Sequence, residues 1–367
     1  MKRILFITPF APSNIGAAMK FTKRTIEMLS QLYEVDLIYH KTEGEPFYLA
    51  DNKIRILKVY DVSFKDRIMG ILHNPLFYPI FMVRYHRNLV CFLKKIKAEN
   101  QYDLIFLDHS QSFIYGRLFK DIPKILMSHD VIYQRVSRTS NKLISWWCKK
   151  SEKQMLQQPN SHIFSFSEKD RDIIMEQYGL DSYVTCGNID EEAIKVYPQK
   201  ISNDYIFFGQ WVRKDNSTGL EWFLKEVYPK VADSINIKII GRGLSFKLIS
   251  LIDKLENVEY LGFVDNPYQL IANSKAVLSP LFSGAGVKFK VLESIACGTP
   301  VIGNDIAFEG ISTDFSDFMI NANSVNEYIG KMSLIDDNIT NRIEMKKRFL
   351  DKYINPYLIK HIHLILG

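Results

Sequence analysis

The sequence predicts an α/β protein of two Rossmann-like domains facing a cleft, and three observations carry that prediction. Short apolar runs alternate with helical stretches along the chain, the series starts afresh near Asp204, and 367 residues are about twice the usual length of one domain. In the first half the strand-like runs are Arg3 to Thr8, Val35 to Tyr39, Ile54 to Val59, Leu104 to Leu107, Lys124 to Met127 and His162 to Phe166. Each is too short for a helix and is followed by polar or turn-forming residues. In the second half they are Tyr205 to Phe208, Ile237 to Ile240, Val258 to Leu261, Ala276 to Ser279 and Pro300 to Ile302. Helices are expected to begin between them near Thr218, Leu244, Pro267 and Val287. The polar, proline-containing stretch from Asp190 to Asn203 reads as the linker. The domains follow as 1–190 and 204–345, with 346–367 as a terminal helix packing back on the first. Ligands gather at the carboxyl ends of strands in open parallel sheets, so the cleft between the halves is the default active site.

Composition is that of an ordinary globular protein, and its charge is uneven. Residues 51–150 hold 18 Lys and Arg against 8 Asp and Glu. Within them, residues 64–98 interleave Phe77, Tyr78, Phe81, Tyr85 and Phe92 with Lys65, Arg67, Arg84, Arg87, Lys94, Lys95 and Lys97. A helix pair lying on anionic lipid has this pattern, and so does a domain helix with an aromatic core side and a wet basic side. No RNA- or DNA-binding motif accompanies the charge, so nucleic acid is not expected as a partner. Cys91, Cys148, Cys186 and Cys297 are scattered, without the spacing of a zinc site. The start MKRILFITPF lacks the apolar region of a signal peptide, and no apolar run reaches eighteen residues. The chain therefore reads as cytoplasmic, peripheral at the inner face of the cell membrane if the basic stretch docks there.

The segment SGAGVKFKVLESIACGTPVIGNDIAFEG, from Ser283 to Gly310, carries the most chemistry. Gly284 and Gly286 permit φ > 0, and the helix expected from Val287 places Val287, Val291, Leu292 and Ile295 on one face. Its first amides, near Val287, Lys288, Phe289 and Lys290, point into the turn, where an anion is the natural guest. Lys288 and Lys290 add full charge, and Glu293 lies where a carboxylate accepts ribose hydroxyls. A tight strand-to-helix turn with no ligand has the same glycines, and a lone helix acid is more often solvated. The segment is also not a complete G-x-G-x-x-G, because Phe289 fills the last position.

The order of motifs along most of the chain resembles the GT-B-fold glycosyltransferases, specifically the retaining family 4 type common in bacterial polysaccharide synthesis. The resemblance rests on ITPFAPSNIGAAM after the first strand, SHD at Ser128 to Asp130, FSFSEKDRD at Phe164 to Asp172 and CGNIDEEAI at Cys186 to Ile194. It continues with FFGQWVRKDNSTGLEWF at Phe207 to Phe223, IIGRG at Ile239 to Gly243, LGFVDN at Leu261 to Asn266, and the segment from Ser283. It implies that the C-terminal domain binds a nucleotide diphosphate sugar and the N-terminal domain presents the acceptor. Glu293 would hold the ribose, residues Val287 to Lys290 the diphosphate, Phe263 the neighbourhood of the base, and Gly16 would bring amides to the diphosphate from across the cleft. Phe263 read alone is equally a core aromatic.

His129 follows the run KILM at the carboxyl end of a predicted strand, and the resemblance places it against the donor sugar. Ser128, His129 and Asp130 are consecutive and so are no hydrolase triad. Arg213 and Lys214 would stabilise the leaving diphosphate, where charge accumulates in an oxocarbenium-like transition state. Read without the resemblance, they are a solvated basic loop.

Two departures stand out. Ala285 occupies the position, eight before Glu293, where many members carry a sugar-contacting glutamate, and the usual Arg followed by Lys-Gly becomes VRKDNSTG. The implied activity is retaining transfer of a sugar from a nucleotide diphosphate sugar to a hydroxyl of a glycan or lipid-linked oligosaccharide, in surface polysaccharide synthesis, with no cofactor and no metal. The alternatives are a nucleotide-sugar epimerase of the same fold and a catalytically silent glycan- or partner-binding subunit, the latter favoured by Ala285.

Overall fold

The computed structural model describes all residues except 15, 42–45, 50–52, 186–188 and 355–356. Cys186, and with it the start of the CGNIDEEAI motif, lies outside the described residues. The chain divides into two compact units, Met1–Asn188 with Pro356–Gly367, and Ile189–Asn355.

The first unit holds a parallel sheet of seven strands, β1 (Arg3–Thr8), β2 (Glu34–Lys41), β3 (Ile54–Asp61), β4 (Leu104–Asp108), β5 (Lys124–Met127), β6 (Ser161–Ser165) and β7 (Tyr183–Val184). Their spatial order is β3-β2-β1-β4-β5-β6-β7. The strands β1 and β4 are buried almost throughout, as parallel strands covered on both faces require. Phe6 of β1 stacks on Phe106 of β4, with ring centroids 4.6 Å apart. The seventh strand, two residues long, was not expected, because a pair of residues carries no readable alternation. The terminal Tyr357–Leu366 helix belongs to this unit, where the Tyr33 hydroxyl and His363 Nδ1 lie 2.8 Å apart.

The basic stretch resolves differently from its sequence pattern. Phe81 is fully buried, and Phe77, Tyr78, Tyr85 and Phe92 pack against the same core, so these aromatics hold the unit together and do not present a face to lipid. The exposed apolar residues are instead Phe64, Ile68, Met69 and Leu72 of the Phe64–His73 helix, and Leu76 just after it. Gly70 explains the arrangement. A Cβ there would sit 2.3 Å from the Met82 carbonyl oxygen, so the glycine face lies on the 82–85 backbone and the opposite face turns outward.

The second unit holds six parallel strands, β8 (Asp204–Phe208), β9 (Asn236–Ile240), β10 (Val258–Gly262), β11 (Ala276–Ser279), β12 (Val301–Gly303) and β13 (Met319–Asn321), in the order β10-β9-β8-β11-β12-β13. The three-residue β13 was not foreseen either.

Two sequence-based boundaries move. The stretch 190–203 lies in the second unit and contains the short Glu191–Lys195 helix, while 346 falls inside the Ile339–Tyr353 helix, which also belongs to that unit. One buried cation accounts for both. The Lys346 ammonium shares its three N–H donors among the carbonyls of Ala193, Ile194, Val196 and Ala296, tying the supposed linker and the supposed terminal helix to one core.

Candidate active site

Both sheets reverse their strand order once, between β1 and β4 in the first unit and between β8 and β11 in the second. Loops part at such a point and leave the carboxyl ends of two strands open to a ligand. The polar groups of each unit converge there.

In the first unit the centre is Asp108, the last residue of β4, fully buried. Its Oδ1 lies 2.7 Å from His129 Nε2, and its Oδ2 accepts from Thr8 at 3.1 Å and Thr22 at 2.5 Å. The carboxylate thus fixes the imidazole, which also stands edge-on to Phe21 and Phe166 at 4.9 Å each. With Nε2–H donated to Asp108, neutral His129 offers Nδ1 as its acceptor. His109 stacks on His129, with ring centroids 3.3 Å apart and planes 15° from parallel. His109 adopts φ 60°, a left-handed conformation that a β-carbon disfavours. Among the described residues its buried Nε2 has no hydrogen-bond partner.

Burial would raise the Asp108 carboxyl, but the charges of His109 and His129 and the hydrogen bonds from His129 and Thr22 outweigh it and hold the group at about 2. Burial, and after it repulsion from His129, lowers His109 to about 3 against the pull of Asp108. Asp108, His109 and His129 bring their ligand atoms within 4.8 Å of one another. Two near-parallel rings direct their in-plane lone pairs side by side and not toward a common ion, so the cluster suits proton and hydroxyl chemistry better than metal ligation.

Gly16, at φ 84°, is the N-cap residue of the Ala17–Leu32 helix, and its carbonyl accepts from the Lys20 amide. The same helix supplies Thr22 and Phe21, so the Gly16 turn leads directly into the shell of His129.

In the second unit the loop after β11 contains Gly284 at φ 124° and Gly286 at φ 67°, conformations that glycine adopts without strain. The helix that follows is Phe289–Ala296 with Lys288 as its N-cap residue, so Val287 belongs to the loop and not to the apolar face. That face is Val291, Leu292 and Ile295, all buried. The difference arises because Lys288 is extended and its carbonyl accepts the first helical bonds, from Val291 and Leu292.

The opposite loop, after β8, enters the Lys214–Trp222 helix four residues before the start read near Thr218. Asp215 in the first turn suits the positive end of the helix dipole. A Cβ on Gly219 would lie 1.8 Å from the Pro280 carbonyl oxygen, so only glycine lets this helix approach the end of β11.

The two loops are bonded to each other. Ser283 donates to Asp215, and Lys290 Nζ donates to Asn216 Oδ1 at 3.0 Å. Arg213 pairs with Asp215 at 3.3 Å, and Lys288 Nζ donates to the Gly286 carbonyl. Arg213, Lys288 and Lys290 therefore form one cationic group. Burial first, then repulsion from Lys288 and Arg213, lowers the Lys290 ammonium to about 7, against the attraction of Asp215. An incoming polyanion relieves that repulsion. Lys214 is exposed on the first helical turn, and among the described residues no recorded bond ties it to this group.

Glu293 is buried, near enough to Tyr268 for burial and then its charge to push the phenol up. Phe263, half exposed after β10, is not a core residue, and the Arg242 guanidinium lies 3.9 Å from its ring centroid. The structure thus brings Lys288, Lys290 and Arg213 together with Asp215, Asn216 and Ser283, and leaves Lys214 outside.

Residues 202–337 match the family model described as glycosyl transferases group 1. Over its length the chain is similar to a sucrose-phosphate synthase from Thermosynechococcus elongatus, with a TM-score of 0.70 and 12% identity over 99% of both chains. It is likewise similar to HepE from Anabaena in complex with UDP, at 0.69 and 15% over 99% of this chain and 100% of that one. To TarM from S. aureus, in a complex that includes UDP and α-GlcNAc-glycerol, the values are 0.70 and 12% over 100% of both. This is the GT-B fold, and within it residues 202–337 match the glycosyl transferases group 1 model. An uncharacterized 44.6 kDa protein in the cps region of Klebsiella pneumoniae is 29% identical over 128 residues, which cover 32% of this GT-B chain and about a third of that protein.

Four residues of the GT-B chain's first unit were missed by sequence reasoning, namely Thr8, Thr22, Asp108 and His109. The signal that singled out His129, a polar residue at the end of an apolar strand, is equally present in Asp108 and His109 after Leu104 to Leu107.

Proposed function

We propose that this chain transfers a sugar from a nucleotide diphosphate sugar to a hydroxyl of a glycan or lipid-linked oligosaccharide, with retention at the anomeric carbon. The observation that carries the reading is the cationic group of Arg213, Lys288 and Lys290 around a glycine turn inside the group 1 domain. A diphosphate leaving group needs such charge, and each charge-assisted bond supplies roughly 1.5–3 kcal/mol. HepE and TarM in their complexes hold UDP, which supports a nucleotide donor here. Glu293 is assigned to the ribose, Phe263 to the vicinity of the base, and the 284–290 backbone to the diphosphate. His129, oriented by Asp108, is assigned to the sugar near the reacting carbon.

Ala285 leaves the sugar without the glutamate common at that position, and the reading of a silent subunit rests on it. Retention follows from economy. The donor loop presents no carboxylate pair for double displacement, so the departing phosphate takes the acceptor proton on the same face. No metal enters this scheme.

The test is incubation of the purified protein with UDP-, GDP-, ADP- and CMP-sugars, first with thermal-shift readout and then with acceptor glycans. Donor saturating at about a hundred times its dissociation constant stabilises by about 2.7 kcal/mol. A product whose anomeric configuration is inverted sinks retention. An epimerised donor without acceptor favours the epimerase, and nucleotide binding without transfer favours the silent subunit.

A further inference from the structure

Two helices of the first unit jointly expose an apolar surface that nothing among the described residues covers. On the Phe64–His73 helix, Phe64, Ile68 and Leu72 recur every fourth residue, and Leu76 follows in the next turn. At about 100° per residue their common direction is roughly 160° from Gly70, the residue seated on the 82–85 backbone. The Lys142–Leu156 helix adds Leu143 and Trp146 from its first turns. These six side chains are between 42% and 86% exposed, and their clustering on two joined elements sets them apart from apolar residues exposed singly elsewhere in the fold.

They form one patch because the two elements are joined. The Trp147 indole donates to the Leu76 carbonyl at 2.8 Å, its ring packs edge-on to Tyr78, and the Tyr78 amide donates to Ser151 Oγ at 2.9 Å. The rim is basic. Lys65 and Arg67 lie on the first helix, Lys142, Lys150 and Lys153 on the second, and the Lys150 ammonium sits 5.2 Å from the Trp146 ring centroid. The acids nearby are already engaged, Asp66 in the capping box with Ser63 and Glu152 buried on the Ile132 and Tyr133 amides.

We propose that this two-helix surface, centred on Leu72, Leu76, Leu143 and Trp146, docks the protein on an anionic lipid bilayer. Apolar side chains enter the acyl boundary, the tryptophan takes the headgroup level it prefers, and the lysines meet the negative surface. A second copy of the chain is a poorer occupant, since pairing the patch with itself brings two basic rims together. The surface differs from the aromatic stripe suggested by residues 64–98, and its second element, the Lys142–Leu156 helix, lies wholly outside that stretch.

The experiment is flotation of the full chain with phosphatidylcholine vesicles, with and without phosphatidylglycerol, at low and high salt. Wild type should float with the anionic vesicles, less with phosphatidylcholine alone, and less in high salt. The double variant Leu143→Ser/Trp146→Ser should lower partitioning about tenfold at an unchanged melting temperature, because both residues are on the surface. Lys142→Glu/Lys150→Glu should lose the preference for anionic lipid, and Leu334→Ser, equally exposed in the second unit, should float as wild type. Absence of wild-type binding, unchanged partitioning of the Leu143/Trp146 variant, or a dimer in sedimentation that this variant abolishes would each overturn the proposal. Vesicle binding is read without any sugar transfer, so its failure is separate from failure of the transferase reading.

Discussion

The two units place the same topological break under opposite chemistries. Between β1 and β4 the ends of the strands carry a sealed carboxylate with two histidines, whereas between β8 and β11 the flanking loops carry a glycine turn with three cations. The first arrangement is rigid, since both oxygens of Asp108 are occupied and the His129 ring it holds is packed by His109, Phe21 and Phe166. The second is self-repelling, with like charges held together by Asp215, Asn216 and a carbonyl. A preorganised hydrogen-bonding group is suited to geometry at a reacting centre, and a strained cationic loop to capture of an anion. The lesson is that fold repetition fixes where a site lies and not what it does.

That contrast is open to breakage. The largest effect is expected at His129→Ala, with turnover falling about 100-fold or more while nucleotide binding by thermal shift is retained. Equal loss of nucleotide binding would erase the division of labour. Next comes Lys288→Ala/Lys290→Ala, which should weaken donor binding by about tenfold or more per charge-assisted bond, read by titration calorimetry; Glu293→Ala should move in the same direction.

Acid should distinguish the units next. His109, and His40, which burial above all lowers, are both held at about 3, and Asp108 at about 2. The unfolded chain binds protons on these groups before the folded one does, on the histidines below about pH 6.5 and on Asp108 below about 4. Stability of the first unit is therefore fully present above pH 6.5 and lost progressively as pH falls toward 2. His109→Gln should flatten the melting temperature against pH between 6.5 and 3, and an unchanged slope would remove His109 from this account.

A smaller effect separates two neighbours. Arg213→Ala should weaken donor binding, and Lys214→Ala should leave it near wild type, since Arg213 alone is bonded into the cationic group. Smallest of all, treatment with a chelator should leave transfer unchanged, measured by product formation before and after dialysis, and full dependence on a divalent ion would contradict the assignment of charge stabilisation to Arg213, Lys288 and Lys290.

Much of this was readable in advance. The eleven runs chosen as strands all became strands, within a residue or two at their ends, because apolar runs followed by turns are a local signal. The glycine turn at 284–286 and His129 at the end of β5 were legible for the same reason. The two strands missed are two and three residues long and exist only by pairing with β6 and β12. The linker was misplaced because Lys346, some 150 positions away, supplies the hydrogen bonds that bind its backbone. The aromatics of 64–98 looked interfacial and proved to be core, since periodicity shows that a helix has two faces and not which neighbour covers each.

The sequence by itself therefore determined the succession of strands and helices, the restart near Asp204, and the residue types at each strand end. Tertiary structure decided which of those ends meet. Asp108 and His129 are 21 residues apart, Thr22 and Asp108 are 86 apart, and Asn216 and Lys290 are 74 apart, so no local pattern reports their contact. It also decided that the chain at Leu76 lies against the Lys142–Leu156 helix, through a Trp147 hydrogen bond spanning 71 residues. Propensity and periodicity act over a few turns of chain, whereas a site and a docking face are made by groups that only packing brings within bonding distance.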